Sequence, residues 1–338
     1  MRNTKLVLLF FTAFISFQCV ETLITVRVFP DGKYLMQFRS EGDEKDIYDR
    51  DFPIPAGGKW ASDIVQKGDP ESGETVHIIS SQAILNGSTT FHNTNKGPAP
   101  QRHPITVKKW SNFFSTQYSF NQIFKGRGIH NKYPLLAKSM SDTGKEGLNE
   151  KVETEIIMYC LQMGLENLQD DHGLDDLLIE RILNHFRGVF YKAEEEGNLF
   201  GVLNDSTARG NESFVLPAQL IKINFRPFSK DLPAGFPELC MAAMMPYVQE
   251  ANITVKLHDD SFKFAGILPG VITASNSDSV SNDTLWWTFG SDAFINDDYV
   301  IEAASIVYHP KRIQIAIVIG ALGILLGLVF ISKRRKSS

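Results

Sequence analysis

Cysteine, positive charge and catalytic signatures are all scarce in this chain. Only three cysteines occur in 338 residues, and Cys19 belongs to an apolar leader. Cys160 and Cys240 remain, which allows one bridge in an oxidising compartment or two separate buried thiols. Neither arrangement is a disulfide framework, and the long segment between Glu21 and Pro310 is large enough to bury a core without one. Positive charge is short where it would matter. All 39 acidic residues lie between Glu21 and Pro310, whereas Arg2, Lys5, Lys311, Arg312, Lys333, Arg334, Arg335 and Lys336 lie outside it. Of the 34 basic residues 26 are left inside, for a net charge of −13. Such a surface repels phosphate, and nucleic acid is excluded as a partner.

Enzyme signatures are missing too. There is no GxSxG, HExxH, P-loop or strand-borne GxGxxG. The run "DDHGLDD" (170–176) has carboxylates but lacks the glycine an EF-hand loop needs at its sixth position, and it reads as a solvated turn between helices. "HDDSF" (258–262) offers His258, Asp259 and Asp260. Adjacent strand residues point to opposite faces, so these three converge only if the segment turns. An exported hydrolase or metal-dependent enzyme built on them is the alternative to a non-catalytic protein. No cofactor and no metal is implied.

The ends of the chain are informative. "MRNTKLVLLFFTAFISFQCV" has Arg2 and Lys5 before a 12-residue apolar run, Leu6–Phe17, too short to cross a hydrocarbon core of roughly 30 Å. It reads as a signal peptide over 1–20. "IQIAIVIGALGILLGLVFIS" (313–332) is 20 residues without a charge, which at a rise of about 1.5 Å per residue spans about 30 Å. The basic tail 333–338 follows and belongs on the cytoplasmic side. The expectation is a single-pass cell-membrane protein with an exported domain at 21–310. Ala316, Gly320, Gly323 and Gly327 give the span small-xxx-small spacings on which two helices can pack, so a homodimer through the span is one expected assembly.

Between the ends, the pattern is strand, helix, strand. "TLITVRVFPDGKYLMQFRS" alternates on both sides of Pro30-Asp31-Gly32 and predicts a β-hairpin. "TVHIISSQAILNGSTTFHN" (75–93) predicts a strand pair around Asn86-Gly87, and 105–124 alternates aromatic and polar residues over a long strand-like stretch. From about Lys145 the period changes. Val152, Ile156, Tyr159 and Met163 mark one helix; Leu174, Leu178, Ile182, Phe186, Val189 and Ala193 mark a second, with Asp175 and Asp176 at its positive end. Residues 236–251 predict a third helix. Strands return with "NITVKLHDDSFKFAG" (252–266), 267–289 and 297–309. This is an α+β pattern: an antiparallel β-rich exported domain carrying a helical insertion at about 145–250, plus one C-terminal transmembrane helix.

Aromatic residues supply the candidate binding surface. Trp286 and Trp287 are neighbours on a strand and face opposite ways, so one joins the core while the other covers an edge or meets a ligand. Phe113, Phe114, Tyr118, Phe120 and Phe124 form a second cluster. A hydrophobic pocket lined by 105–124 and 285–289 would take a lipid-like ligand; a packed core uses the same residues.

Leu268-Pro269-Gly270, Asn276 and Trp287-Thr288-Phe289, followed by a span and a short basic tail, resemble the LppM-type bacterial envelope proteins. "TVRVFPDGKY" resembles that family's opening hairpin. The chain departs from the family in having no lipobox at Cys19 and in its long helical insertion. The resemblance implies an envelope-associated, non-enzymatic protein and supplies no catalytic residue. The expected function is membrane-anchored binding of a lipid-like ligand or an envelope protein partner; a structural assembly subunit is a further alternative.

Overall fold

The computed structural model describes residues 20–47, 52, 54–68, 75–91, 103–141, 150–195, 218–257 and 260–336. Strands β1 (Glu21–Val28) and β2 (Lys33–Gly42) bury every second residue. Ile24, Val26 and Val28 face inward opposite Phe38, Met36 and Tyr34, as period-2 alternation requires. Their turn closes through the Gly32 amide on the Phe29 carbonyl (2.9 Å), with Gly32 at φ +93°, a conformation only glycine adopts freely. A single helical turn, α1 (Glu44–Ile47), precedes β3 (Ala61–Gly68) and β4 (Thr75–Asn86).

The strand pair expected around Asn86-Gly87 is not a hairpin. Strand β4 pairs with β2 and β3, whereas β5 (Ser88–Phe91) pairs with β6 (His103–Ser111) in another sheet. Gly87, at φ +65°, is where the chain passes between sheets, a corner of the kind that lets one strand run serve two layers. The long stretch at 105–124 is also two strands. Asn112 breaks it: its side-chain oxygen accepts the amides of Phe114 (2.8 Å) and Ser115 (2.7 Å), an Asx-type turn that sends β7 (Ser115–Phe124) back along β6.

Helices fill the middle of the chain. After α2 (Ile129–Lys132) and α3 (Pro134–Ser141), the helices α4 (Glu150–His172) and α5 (Asp176–Glu195) form the expected αα-hairpin. Asp175 caps α5 by accepting the Leu178 amide at 2.7 Å. Then come α6 (Ala218–Asn224) and α7 (Phe236–Lys256). Helix α7 continues through Asn252–Lys256, which the sequence reading gave to a strand. Ile253, Thr254 and Val255 are β-branched, but Val248, Ala251 and Thr254 fall on one buried face, and packing overrides propensity. Helix α7 lies on α4, where Gly164 lets the two approach: a Cβ there would sit 2.7 Å from Met244.

The remaining strands are β8 (Ser261–Ile267), β9 (Val271–Ser275), β10 (Ser279–Ser281), β11 (Thr284–Gly290) and β12 (Tyr299–Tyr308). They complete a seven-stranded sheet, β10-β11-β8-β1-β2-β4-β3, and a five-stranded one, β5-β6-β7-β12-β9. Among the described residues only the β1–β8 pairing is parallel. The two sheets share one core, with Phe120 against Phe264 and Phe124 against Phe289; the helices enclose a second around Ile156, Phe186, Phe225 and Met244. The architecture is thus α+β, a sandwich with a helical unit.

Strand register orients the molecule. Ser115, at the start of β7, pairs with Tyr308, and Phe124, at its end, pairs with Tyr299. Helices depart after Phe124 and return at Ser261, which pairs with Glu21 and Gly290. The last helix, α8 (Pro310–Lys336), begins just past Tyr308. Helical unit and α8 therefore leave the sandwich from opposite ends, separated by ten residues of β7, roughly 30 Å of strand.

Candidate functional site

The fold parts the expected ligand residues: Trp287, Tyr118 and Phe120 lie in the core and Phe113 lies on the surface. Trp287 is fully buried and packs edge-on against Phe264 at 5.6 Å. Its ring lies over Gly266, where a Cβ would come within 3.0 Å of it. The indole N–H donates to Asn276 Oδ1 at 3.0 Å; that oxygen also accepts the Glu302 amide (2.8 Å), and the Asn276 amide group donates to the Val300 carbonyl (2.7 Å). Asn276 thus ties β11 to β12, joining two residues that carried the family resemblance. Trp286, half-buried, faces the other way. Tyr118 and Phe120 are buried, with the Tyr118 hydroxyl donating to the Pro30 carbonyl at 2.8 Å. Burial, then Asp31, raises the Tyr118 pKa.

Phe113 is different. It stands half exposed with Phe114 at the β6–β7 tip, the two rings edge to face at 5.2 Å. Trp110 and Tyr308, exposed by 58% each, flank them. The tip is held against the start of α8: the His309 amide donates to the Phe114 carbonyl at 2.8 Å, and His309 Nε2 lies 3.1 Å from Thr116 Oγ1. Trp110 and Tyr308 were not singled out in the sequence. The available signal was position, aromatic residues at strand ends that abut the long uncharged run at 313–332.

The Pro310–Leu328 part of α8 has a mean hydropathy of 1.8, is nowhere buried, and is long and apolar enough to cross a membrane. Ala316, Gly320, Gly323 and Gly327 lie along it, and no described atom lies within 4 Å of a Cβ built at any of the three glycines.

No family model matches the chain and no curated protein matches it. One solved structure is similar. It is the NMR structure of the folded domain of the Mycobacterium tuberculosis LppM protein, at 7% identity and a TM-score of 0.26, over 87% of this chain and 94% of that one. That likeness transfers no residue role and no activity.

Two surface clefts lie among the described residues, the first of them polar. One, of about 490 Å³ between α4 and α5, is lined by Gln162, Glu166, Gln169, Asp176, Glu180 and Arg187 among others. Hydrogen bonds from Gln162 to Glu166 (2.8 Å) and from Gln169 to Asp176 (2.6 Å) order it. The other, about 450 Å³, lies on the outer face of β1, β2, β4 and β3 around Thr25, Gln37, Arg39, Asp63 and Gln82.

Of the run at 258–262, His258 and Asp259 lie outside the described residues, as does the leader up to Cys19. Asp260 is buried at the turn from α7 into β8, its amide donating to the Leu257 carbonyl at 3.3 Å. Among the described residues no three His, Cys, Asp or Glu side chains are grouped to hold a metal ion. Cys160 and Cys240 are free and buried in the helical core. Burial pushes both thiols up to about 12, with Glu250 adding to the effect on Cys160. The helical unit is joined to the sandwich by Arg127, whose guanidinium donates to Thr254 Oγ1 (2.7 Å) and the Glu250 carbonyl (3.1 Å). Beside it Lys125 pairs with Asp298 at 2.6 Å and holds that carboxyl below its ordinary range.

Proposed function

We propose that the chain is an exported, single-pass envelope protein that acts by binding and not by catalysis, with the helical unit as its recognition head. The observation that carries this is strand register: α8 and the helical unit leave opposite ends of the sandwich. With α8 in a membrane and the basic tail in the cytoplasm, the sandwich becomes a pedestal and the head stands about 30 Å or more from the bilayer. A partner protein is the occupant this favours. The head carries the acidic α4–α5 cleft, with Leu177 exposed by 67% near its edge. A partner with a basic contact surface complements that cleft and the net charge of the segment.

The test is site-specific photocrosslinking of the full chain in its native membrane. Crosslinker at Leu177 is expected to trap a discrete protein, and Glu166→Lys with Glu180→Lys to abolish that product. Crosslinker at Asp63, on the outer sheet face, is expected to trap none. Equal products from both positions, or a product indifferent to the charge reversals, would contradict the head as the recognition surface.

A further inference from the structure

The β6–β7 tip is a hairpin end with an unusual composition. Loop ends are ordinarily small and polar, yet this one carries Phe113 and Phe114, each 50% exposed, between Trp110 and Tyr308. Exposed rings massed in one place mark a contact surface. The tip is also shaped from within. Asn112 accepts the Phe114 and Ser115 amides and donates its own amide to the Ser115 carbonyl at 2.8 Å, so the two phenylalanines are held out and cannot fold back.

Its position identifies the partner. The Phe114 carbonyl is bonded to the amide of His309, the residue just before α8. Three helical residues then lead to Ile313, where the uncharged run begins, a rise of about 5 Å. Lys311 and Arg312 occupy that interval, the place for charges that stay at headgroup level while their stems lie along lipid. Trp and Tyr favour the same layer, where a ring can be apolar on one side and wet on the other.

We propose that the β6–β7 tip is a second membrane contact, with Trp110, Phe113, Phe114 and Tyr308 seated in the interfacial layer of the leaflet that α8 enters. A lone span lets its domain swivel; a span with a fixed aromatic tip beside it sets the sandwich upright. The proposal rests on α8 being a span and adds to it a surface of the folded domain.

The experiment uses the full chain reconstituted in phosphatidylcholine vesicles, with and without acyl-chain-brominated phosphatidylcholine, whose bromines quench nearby tryptophan. Subtracting the Trp110→Phe protein from the parent isolates the Trp110 signal from the other three tryptophans. That difference is expected to be strongly quenched by bromolipid and poorly quenched by aqueous acrylamide. Phe113→Ser with Phe114→Ser is expected to weaken the bromolipid effect on Trp110 although α8 still holds the protein in the vesicle. All three positions are half exposed or more, so the fold tolerates the changes, and far-UV circular dichroism checks it. A Trp110 difference signal indifferent to bromolipid overturns the proposal. So does protection from acrylamide without bromolipid quenching, since a second copy would then cover the tip. Resistance to alkaline extraction separates the two readings: a chain washed off the vesicles refutes the span itself, and a retained chain with an unquenched Trp110 refutes only the tip contact.

Discussion

Lowering the pH should unfold this protein partly through one histidine. His103 lies on β6 inside the sandwich, with the rings of Phe52, Phe91, Phe124 and Phe294 at 5.5, 5.0, 5.4 and 6.3 Å. Its Nδ1 accepts a long hydrogen bond from the Lys125 amide (3.4 Å), and its Nε2 has no hydrogen-bond partner among the described residues. Burial, and then the Arg127 charge, lowers its pKa from 6.5 to about 3. The unfolded chain takes up this proton as the pH falls through about 6.5, while the folded chain refuses it down to about 3. Unfolded molecules therefore bind more protons throughout that window, and stability falls as the pH falls. Each pH unit inside the window is worth about 1.4 kcal/mol, so going from pH 7.5 to 5 costs about 2 kcal/mol. His103→Phe keeps an aromatic ring there and removes the titration. At pH 7.5 it should lie within about 1 kcal/mol of the parent, losing one weak bond and one unpaired buried N–H. At pH 5 it should lead by about 2 kcal/mol, or roughly 4–8 °C in Tm for a domain of 150–250 residues. Thermal melts of both full chains in detergent, followed by near-UV circular dichroism, read this directly. Other titrating groups are common to both proteins. A Tm difference that stays constant between pH 7.5 and 5 would refute the reasoning.

Three other outcomes are expected. Asn276→Ala strands the buried indole N–H of Trp287 and cuts two further bonds to β12; it should cost roughly 2–4 kcal/mol in urea unfolding and shift the tryptophan emission. Gly164→Leu forces α4 off Met244 and should destabilise the helical unit by about 1–3 kcal/mol, seen as earlier loss of far-UV helix signal. Cys160 and Cys240, buried with thiols pushed up to about 12, should resist a thiol reagent at pH 8 until denaturant opens the head; fast native labelling of either would show the helical core to be loose.

Much of the fold was legible because period and turn chemistry agree locally. The β1–β2 hairpin followed from alternation around Pro30-Asp31-Gly32, and the α4–α5 pair from helical spacing with Asp175 and Asp176 at the positive end of the second helix. What failed was long-range. Asn86-Gly87 has hairpin chemistry, but nothing local says that β4 and β5 belong to different sheets. Asn252–Lys256 reads as a strand, whereas burial of Ala251 and Thr254 and the bond from Arg127 to Thr254 Oγ1 belong to a helix whose packing the local pattern does not show. The aromatic cluster was visible as composition, but which of its rings the fold would bury was not. Tyr118, Phe120 and Trp287 differ from Phe113 only in which face or turn the fold gives them, and the importance of Trp110 and Tyr308 depends on a neighbour about 200 residues away in sequence.

The central claim is that the helical head stands at the far end of the sandwich from the membrane. Resonance energy transfer from a donor on the head to acceptors in lipid headgroups tests it most directly. The full chain, with Cys19 replaced by serine, would carry one new cysteine at Leu177 or at Phe113 and be placed in nanodiscs. Transfer should be strong from position 113 and weak from position 177, consistent with about 30 Å of strand between the two ends. Equal transfer from both would mean that the head lies down on the bilayer, and the pedestal arrangement would be wrong.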